Sequence, residues 1–394
     1  MRSFRFLLPV VACFIFVEIS AQTVSAKFGD GISFVPADSS MSVNFSTRFQ
    51  TLIEVNTVLN DDPAPEVVMA IRRFRLKFDG FAHSTKLRYK IELALSNNDN
   101  GRIVPQGDNG ANIVLDAYAE YQLAEGLWLR GGQFKLPGNR ERVISSQQLQ
   151  FVDRSLVNSR YNLDRDLGLM LRHEFPIGNW IVRDLWAVAK GEGRNITMES
   201  DIGLSYTGRI ELLPFGNFTD EGDYFGSDLA REPTPKFSIA GGYSYNDEAV
   251  RSQGELGSFL PLPQDLSTIF ADFMFKYRGL SIMGEYMSKS APDPVLESGD
   301  GFFVTGDGVV LQSGYLLKND LEFALRYTTV RPADHTFDLG IDQQRTEYTL
   351  GVSKYIVGHS LKIQTDISYT NIDRSGTTAI DPFLAYRLQM ELAL

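Results

Sequence analysis

Apolar and polar side chains alternate with a period of two along most of this chain, and this pattern constrains the fold more than any other feature. In one clear example, Leu87, Tyr89 and Ile91 alternate with Arg88 and Lys90. Such alternation indicates a β-strand with one apolar and one polar face. Comparable segments recur at 41–55, 73–78, 86–95, 116–123, 127–136, 167–175, 180–190, 202–212, 237–245, 271–277, 280–286, 308–318, 321–327, 348–352, 361–369 and 384–394. The sequence therefore predicts an all-β chain of about sixteen strands.

Three features favour a membrane barrel over a soluble β-sandwich, whose strands also alternate. The strands approach the roughly 9–11 residues that a tilted membrane-spanning strand needs. Several apolar faces end in tyrosine, as at Tyr277, Tyr327 and Tyr369, which is typical of an aromatic girdle. The chain ends within a strand, and pairing of that strand with the first would remove both open edges. We therefore predict a transmembrane antiparallel β-barrel of about 16 strands, with a secreted β-rich binding protein as the alternative.

The N-terminus has the pattern of a secretion signal. Two arginines precede an apolar run at 6–17, and small residues ending at Ala21 follow it. Cleavage is expected after Ala21, with Ala26 as a second candidate and a lipoprotein-type site before Cys13 as a weaker alternative. The expected organisation is a signal peptide at 1–21 and an outer-membrane β-barrel at 22–394.

The predicted connections fall into two length classes. Tight turns, such as those at Arg278-Gly279 and Gly358, are expected on the periplasmic side, because outer-membrane barrels have short turns there and longer loops outside. The long connections expected outside are Asn97–Gly110, Gly138–Asp164, Phe215–Pro235, Asn246–Asp265, Ala291–Gly308 and Arg331–Gln344.

The long connection after the strand at 127–136 has internal order of its own. Ser145-Ser-Gln-Gln148 has the form of a capping box, and Leu149, Val152 and Leu156 follow at helical spacing. A short helix with an apolar stripe needs a surface to pack on. We therefore predict that loop 138–165 folds inward as a constriction loop that carries a short helix.

Basic side chains occupy the polar face of two successive predicted strands. The six residues predicted to line an anion path are Arg73, Arg75, Lys77, Lys86, Arg88 and Lys90. Rows of arginine and lysine favour anions in pores, and arginine binds phosphate oxygens in a bidentate manner. The competing interpretation is a water-filled lumen in which acidic and basic charges balance. Five acidic side chains are predicted to face the same space: Glu92, Asp116, Glu120, Asp166 and Glu174. The two interpretations stay open at this point.

Several other classes of protein find no support in the sequence. The formal net charge of -11 disfavours non-specific nucleic-acid binding. Cys13 is the only cysteine and falls in the predicted signal, and the four histidines are too scattered to have metal-ligand spacing. No spacing indicates a catalytic nucleophile with its base. We therefore expect no enzyme activity, no metal and no cofactor.

The segments around the constriction loop carry a resemblance to a known family. They are Gly132-Gln-Phe-Lys-Leu-Pro137, Arg140-Glu-Arg142, Leu149-Gln-Phe-Val-Asp-Arg-Ser-Leu-Val157 and Arg165-Asp-Leu-Gly168. Further segments lie at 186–195, 206–216, 272–281 and 348–358, so that the match covers most of the mature chain. The sequence resembles the phosphate/polyphosphate-selective porins (porin O and P type) of Gram-negative outer membranes, and the Bacteroidetes-type versions more than the pseudomonad ones.

The resemblance implies a sixteen-stranded, homotrimeric barrel in outer-membrane lipid that passes phosphate or other small anions by passive diffusion. It also implies inward arginines in the constriction loop, for which the candidates are Arg140, Arg142, Arg154, Arg160 and Arg165. They are candidates by position, since the lysine cluster of the prototype does not align residue by residue. The chain also ends in Leu394, where the family usually has an aromatic residue. A general or structural outer-membrane barrel without selectivity is the alternative function.

Overall fold

The computed structural model of the chain describes residues 21–59, 64–100, 112–196, 203–296, 301–376 and 380–394. Residues 1–20 of the predicted signal peptide lie outside the described residues, as do parts of the predicted loops around 101–110 and 297–300.

Strands make up most of the described chain. In order they are β1 (Ala21–Lys27), β2 (Gly31–Pro36), β3 (Val43–Val58), β4 (Glu66–Ala82), β5 (Ser84–Ala94), β6 (Val114–Ala124), β7 (Leu127–Lys135), β8 (Arg165–Ile177), β9 (Trp180–Ala189), β10 (Ser205–Leu213), β11 (Lys236–Arg251), β12 (Phe259–Tyr277), β13 (Leu280–Ser290), β14 (Gly306–Leu316), β15 (Leu321–Pro332), β16 (Gln344–Val357), β17 (Leu361–Asp373) and β18 (Ile380–Ala393). The short helices are α1 (Asn97–Asn100), α2 (Arg140–Val143), α3 (Leu156–Tyr161) and α4 (Asp334–Asp338), and a 3-10 segment spans Thr219–Tyr224. Among the described residues, no helix is long and apolar enough to cross a membrane.

The strands from β3 to β18 form one closed antiparallel barrel. Each pairs with the next in sequence, and β18 returns to pair with β3 from Ala393↔Arg48 to Phe383↔Val58. Sixteen described strands thus form the wall, which confirms the predicted fold class. A β1–β2 hairpin precedes the wall and joins it where Ile32–Phe34 pairs with Val43–Phe45; the sequence pattern did not reveal this hairpin.

The alternation in the sequence becomes an apolar outside and a polar inside. Tyr327, Tyr348 and Tyr369 are direct neighbours across three strands and are exposed on the outer surface. The next outward row continues through Leu350 and Ile367. Aromatic and aliphatic rows of this kind are what a barrel presents to lipid.

All connections alternate between the two ends of the barrel. One end, here named the turn end, has short connections at 83, 125–126, 178–179, 278–279, 317–320 and 358–360. The other, the loop end, has the connections at 59–65, 95–113, 136–164, 190–204, 252–258, 291–305, 333–343 and 374–379. The turn end corresponds to the periplasmic side of outer-membrane barrels.

Two predicted external loops need correction. The connection Phe215–Pro235 joins β10 to β11 at the turn end, so its assignment to the outside was wrong. The predicted loop Asn246–Asp265 is much shorter, because β11 and β12 extend to Arg251 and from Phe259 as a paired hairpin.

The constriction loop contains short helices, but none begins at Ser145, where the capping box predicted a helix. At Ser145–Gln148 the backbone makes a single turn, with the N–H of Gln148 donating to Ser145 O at 2.9 Å. The helical segments lie on either side, as α2 and as α3, which is capped by the Ser155 side chain. Between them the backbone forms turns and bends, and wall side chains bond it directly: the Val152 N–H donates to Asp366 Oδ2 at 3.0 Å.

The main apolar core lies inside the barrel, beneath the constriction loop. Phe134 and Leu136 enter it from the end of β7, and Val157, Tyr161 and Leu163 enter from α3 and the residues after it. This cluster also contains wall residues such as Phe270 and Met287. Apolar burial on the lumen side therefore serves to hold the loop against the wall.

We expect an arginine on the outer face to destabilise the barrel. Leu350 lies in the middle of β16, is 57% exposed and faces lipid, so Leu350→Arg should lower the free energy of unfolding in bilayers by about 2–4 kcal/mol. Denaturant titration of the refolded protein measures the effect. Leu339→Arg is the matched control, since Leu339 is also 57% exposed but lies in the 333–343 connection. Equal stability of both variants would contradict the membrane assignment of this face.

Candidate functional site

Two connections enter the lumen from opposite ends and meet inside it. The constriction loop, residues 136–164, comes from the loop end, and the turn-end loop, residues 214–235, comes from the other. At the contact, the Gly226 N–H donates to Gln148 O at 2.8 Å. A side chain at Gly226 would not fit there, because its Cβ would lie 2.6 Å from the backbone nitrogen of Gln150. The two loops together fill one side of the barrel.

Side chains of the wall fasten the constriction loop to β13–β18. The Gln150 amide donates to Ser281 Oγ and to Glu322 Oε1, both at 2.8 Å. Lys362 Nζ donates to Leu149 O at 3.2 Å. Buried polar groups are stable only when hydrogen-bonded, so these contacts fix the loop rather than let it move freely.

Arg140 is fully buried and ties both loops to the wall. Its Nε donates to Asp272 Oδ1 at 2.6 Å and its Nη2 to Ser238 Oγ at 2.9 Å. Its Nη1 donates to the backbone oxygen of Asp223 in the turn-end loop at 3.0 Å. Asp272 also accepts from Arg209 at 2.6 Å. With all three guanidinium nitrogens hydrogen-bonded and no exposure, Arg140 is a structural tie between elements.

Arg154 and Arg142 act within the constriction loop. Arg154 donates to the backbone oxygens of Glu141 and Ile144, each at 2.8 Å. Burial, with repulsion from Arg142, lowers the pKa of Arg154 to about 9. Arg142 pairs with Asp164 at 2.8 Å. Burial alone would raise the pKa of Asp164. The charge of Arg142 outweighs this effect and holds the pKa of Asp164 well below its usual range.

The remaining two loop candidates lie at its edges. Arg160 pairs with Asp342 in the 333–343 connection. Arg165, the first residue of β8, donates to Asp116 Oδ1 at 2.6 Å. Of the five candidate arginines, only Arg165 lines the central cavity of the open lumen.

The open lumen lies on the other side of the barrel, against β4–β10. Its central cavity, of about 290 Å³, is bounded by that wall, the constriction loop and Tyr224 of the turn-end loop. Toward the turn end the central cavity adjoins two further cavities. The side cavity, of about 520 Å³, has Lys90 and Tyr118 as lining residues in common with it. The exit cavity, of about 240 Å³, has Arg172 and Leu185 in common with it. The passage is therefore off-centre.

The six predicted path residues occupy different places along this wall. Arg75 and Lys90 line the central cavity, and Lys77 and Arg88 line the side cavity. Arg73 instead donates to Gln50 Oε1 at 2.7 Å and lines none of the three cavities. Lys86 is exposed near the turn end of β5 and also lines none of them. The structure thus brings four of the six together.

Four basic residues that line the central cavity were missed by the sequence reasoning: Arg130, Lys135, Arg172 and Arg209. Arg130, Arg172 and Arg209 lie on polar faces of β7, β8 and β10 and could have been found from the alternation. Lys135 could not, because period two places it opposite Arg130. Lys135 is the last residue of β7, where the chain leaves the wall for the constriction loop.

Carboxylates partly neutralise these cations. Lys90 Nζ lies 2.8 Å from Glu92 and 2.6 Å from Asp116, and Arg75 donates to Asp99 Oδ1 at 2.6 Å. Burial raises the pKa of Asp99, but the hydrogen bond and charge of Arg75 outweigh it, and the pKa falls to about 2. Asp99 is therefore charged at neutral pH.

Lys135 differs from its neighbours. Its Nζ donates to the backbone oxygens of Val143 and Ile144 in the constriction loop, at 3.0 and 3.4 Å. Within the described part of the chain, no carboxylate lies at ion-pair distance from it. An ammonium has three donors, so one remains for a solute in the cavity.

Removing the buried tie should loosen the loops. Arg140→Ala leaves Asp272 with only Arg209, so we expect the free energy of unfolding to fall by about 3 kcal/mol and single-channel conductance to rise. Denaturant titration and planar-bilayer recording measure the two effects. Arg160→Ala is the control: its partly exposed ion pair with Asp342 should contribute less than about 1 kcal/mol. If both variants conduct and unfold like the unmodified protein, Arg140 does not hold the loops.

The described residues bring no three His, Cys, Asp or Glu side chains into a group that could hold a metal ion. The geometry of the described residues is that of a passage lined by charged side chains.

Comparison with known proteins agrees with this geometry. The family model of phosphate-selective porins O and P matches residues 56–393. No curated protein sequence matches the chain.

Among solved structures, OprB of Pseudomonas putida is similar with a TM-score of 0.55 at 11% identity, covering 89% of this chain and 94% of its own. The outer membrane channel DcaP of Acinetobacter baumannii has a TM-score of 0.54 at 12% identity, covering 90% and 99%. OmpT of Vibrio cholerae in its trimer form has a TM-score of 0.51 at 12% identity, covering 90% and 100%. At such identities the similarity to these structures supports only the fold. The family model, in contrast, matches most of the sequence. The chain therefore belongs to the phosphate-selective porin O and P family, and it is a porin of the outer membrane.

Proposed function

We propose that this porin passes small anions by passive diffusion, and that it prefers them to cations. The observation that carries the proposal is the lining of the central cavity. Seven of its lining side chains are arginine or lysine and three are acidic, and Lys135 has no carboxylate partner. A narrow passage with excess positive charge raises the local concentration of anions.

Ion pairing limits this field without cancelling it. Arg130 and Arg172 share one partner, since both donate to Glu120 Oε2, at 2.7 and 3.2 Å. One carboxylate cannot neutralise two guanidinium groups, so a net positive charge stays at this point of the wall. Arg172 keeps much of its side chain accessible, at 41% exposure. Arg172 and Lys135 together provide hydrogen-bond donors that a passing anion can contact one after the other.

Phosphate-like anions fit this arrangement. Arginine offers two parallel N–H donors to phosphate oxygens, and lysine offers a point charge. The side chains of Ser145 and Gln148 line the same cavity and add uncharged hydrogen-bonding groups. A general or structural barrel without selectivity is the competing function, and the shared ion pairs are the observation in its favour.

We further propose a homotrimer in outer-membrane lipid, exported with cleavage of residues 1–21, that acts as a channel and not as an enzyme. OmpT of Vibrio cholerae, which shares the fold, has a trimer form.

The decisive measurement is the reversal potential of the purified protein in a planar bilayer under a potassium chloride gradient, repeated with phosphate. We expect anion preference and a reduced chloride current when phosphate is added. Cation preference would refute the proposed selectivity, and absence of conductance would favour a structural barrel.

Lys135→Gln tests the lining itself. Loss of one charge at about 6 Å from the ion path should lower the chloride-to-potassium permeability ratio roughly tenfold, because chloride loses an attraction and potassium loses a repulsion. Lys318→Gln is the control, because Lys318 is exposed in the 317–320 turn and lines none of the three cavities. If the two variants behave alike, Lys135 does not contribute to selectivity.

A further inference from the structure

The tip of the turn-end loop places an acidic side chain in a passage whose wall is basic. The tip is the 3-10 segment Thr219–Tyr224, which contains two successive residues with left-handed backbone, Asp220 (φ 51°) and Glu221 (φ 55°). Such conformations are unfavourable outside glycine and persist where the surroundings impose them. Both side chains are exposed.

Contacts on both sides of the tip hold it in place. Before it, the Thr219 N–H and hydroxyl donate to the Glu232 carboxylate, at 2.6 and 3.1 Å. After it, the Asp223 carboxylate accepts from Arg183 at 2.6 Å, and the Tyr224 hydroxyl donates to Glu211 at 2.8 Å. The carboxylate between these anchors therefore has a fixed place in the lumen.

The base of the loop is bound to the turns of neighbouring hairpins. Asp228 Oδ2 accepts from the Gly279 N–H at 2.7 Å, and Arg231 Nη1 donates to Leu316 O at 2.9 Å. The Ser227 hydroxyl donates to Glu322 Oε2 at 2.6 Å. The whole loop is thus part of the rigid barrel.

Glu221 lines both the central cavity and the exit cavity, so a solute that moves between the two must pass it. The other acidic residues of these cavities are bound to cations: Glu92, Asp116, Glu120 and Glu174. Among the described residues, Glu221 has no cation at ion-pair distance. Its charge therefore acts on the passing solute with no paired cation to neutralise it.

We propose that Glu221 is a specificity-determining residue at the exit and sorts anions by their charge. The inference rests on the proposed anion preference. Attraction to the basic wall and repulsion by the carboxylate both grow in proportion to the charge of the anion. Glu221 therefore lowers the advantage that the basic wall gives to multiply charged anions over singly charged ones.

Glu221→Gln removes the charge and keeps the size of the side chain. With about 6 Å between the carboxylate and the solute, the interaction changes the passage of a singly charged ion roughly threefold. Chloride gains this factor and potassium loses it, so the chloride-to-potassium permeability ratio should rise roughly tenfold. The sulfate-to-potassium ratio should rise roughly thirtyfold, because the repulsion doubles for a doubly charged ion. Reversal potentials under potassium chloride and potassium sulfate gradients measure both. Glu221→Asp, which keeps the charge, should retain the selectivity of the unmodified protein.

Glu125→Gln is the matched control, since it removes the same charge from the exposed 125–126 turn at the same end of the barrel, outside all three cavities. Unchanged ratios in Glu221→Gln, or an equal change in Glu125→Gln, would overturn the role of Glu221. An equal rise for chloride and sulfate would overturn the sorting by charge. The unmodified protein tests the proposed function separately: cation preference there, with the expected shifts in Glu221→Gln, would refute anion preference and leave the role of Glu221 intact.

Discussion

Closure of the sheet is the constraint on which everything else in this molecule depends. In the hydrocarbon layer no water is available to the backbone, so each strand must satisfy its N–H and C=O groups on both sides. The pairing of β18 with β3 completes this for the first and last strands. Once the sheet is closed, the number of strands leaves an interior too wide to fill with side chains of the wall alone. The interior must then be filled, at least in part, by chain that is not wall.

Buried charge is the means by which this filling is fixed. Arg140, Arg209 and Asp272 form a buried network, and such groups are stable only when they are paired and hydrogen-bonded. The same residue types that line the passage therefore hold the loops. Arg209 takes part in both, because it lines the central cavity and also donates to Asp272.

The sequence predicted most of the wall and only part of the passage. The period of two is present in the structure because each strand has an apolar face toward lipid and a polar face toward the lumen. This period predicted the fold class. The turn-end loop was misplaced because its length suggested the outside. Loop length is only a tendency, whereas an up-and-down barrel must alternate its ends. Counting strands places the connection between the eighth and ninth wall strands at the turn end.

Local signals failed where distant parts of the chain supply the stronger interaction. The capping box at Ser145 does not start a helix, because side chains of the wall bond the loop backbone instead. One of them is Asp366, which is 214 residues from its partner Val152. Lys135 escaped the alternation because it is the last residue of β7, where its side chain bonds the backbone of the constriction loop. Neither effect can be read from neighbouring residues.

These long sequence separations also set the order of assembly. The constriction loop is bonded by Glu322 and Asp366, on β15 and β17, which are 172 and 214 residues from Gln150 and Val152. The loop cannot reach its final place until those strands have joined the sheet. The narrow passage is therefore a late product of folding, completed only after the wall strands that bond the loop are in place.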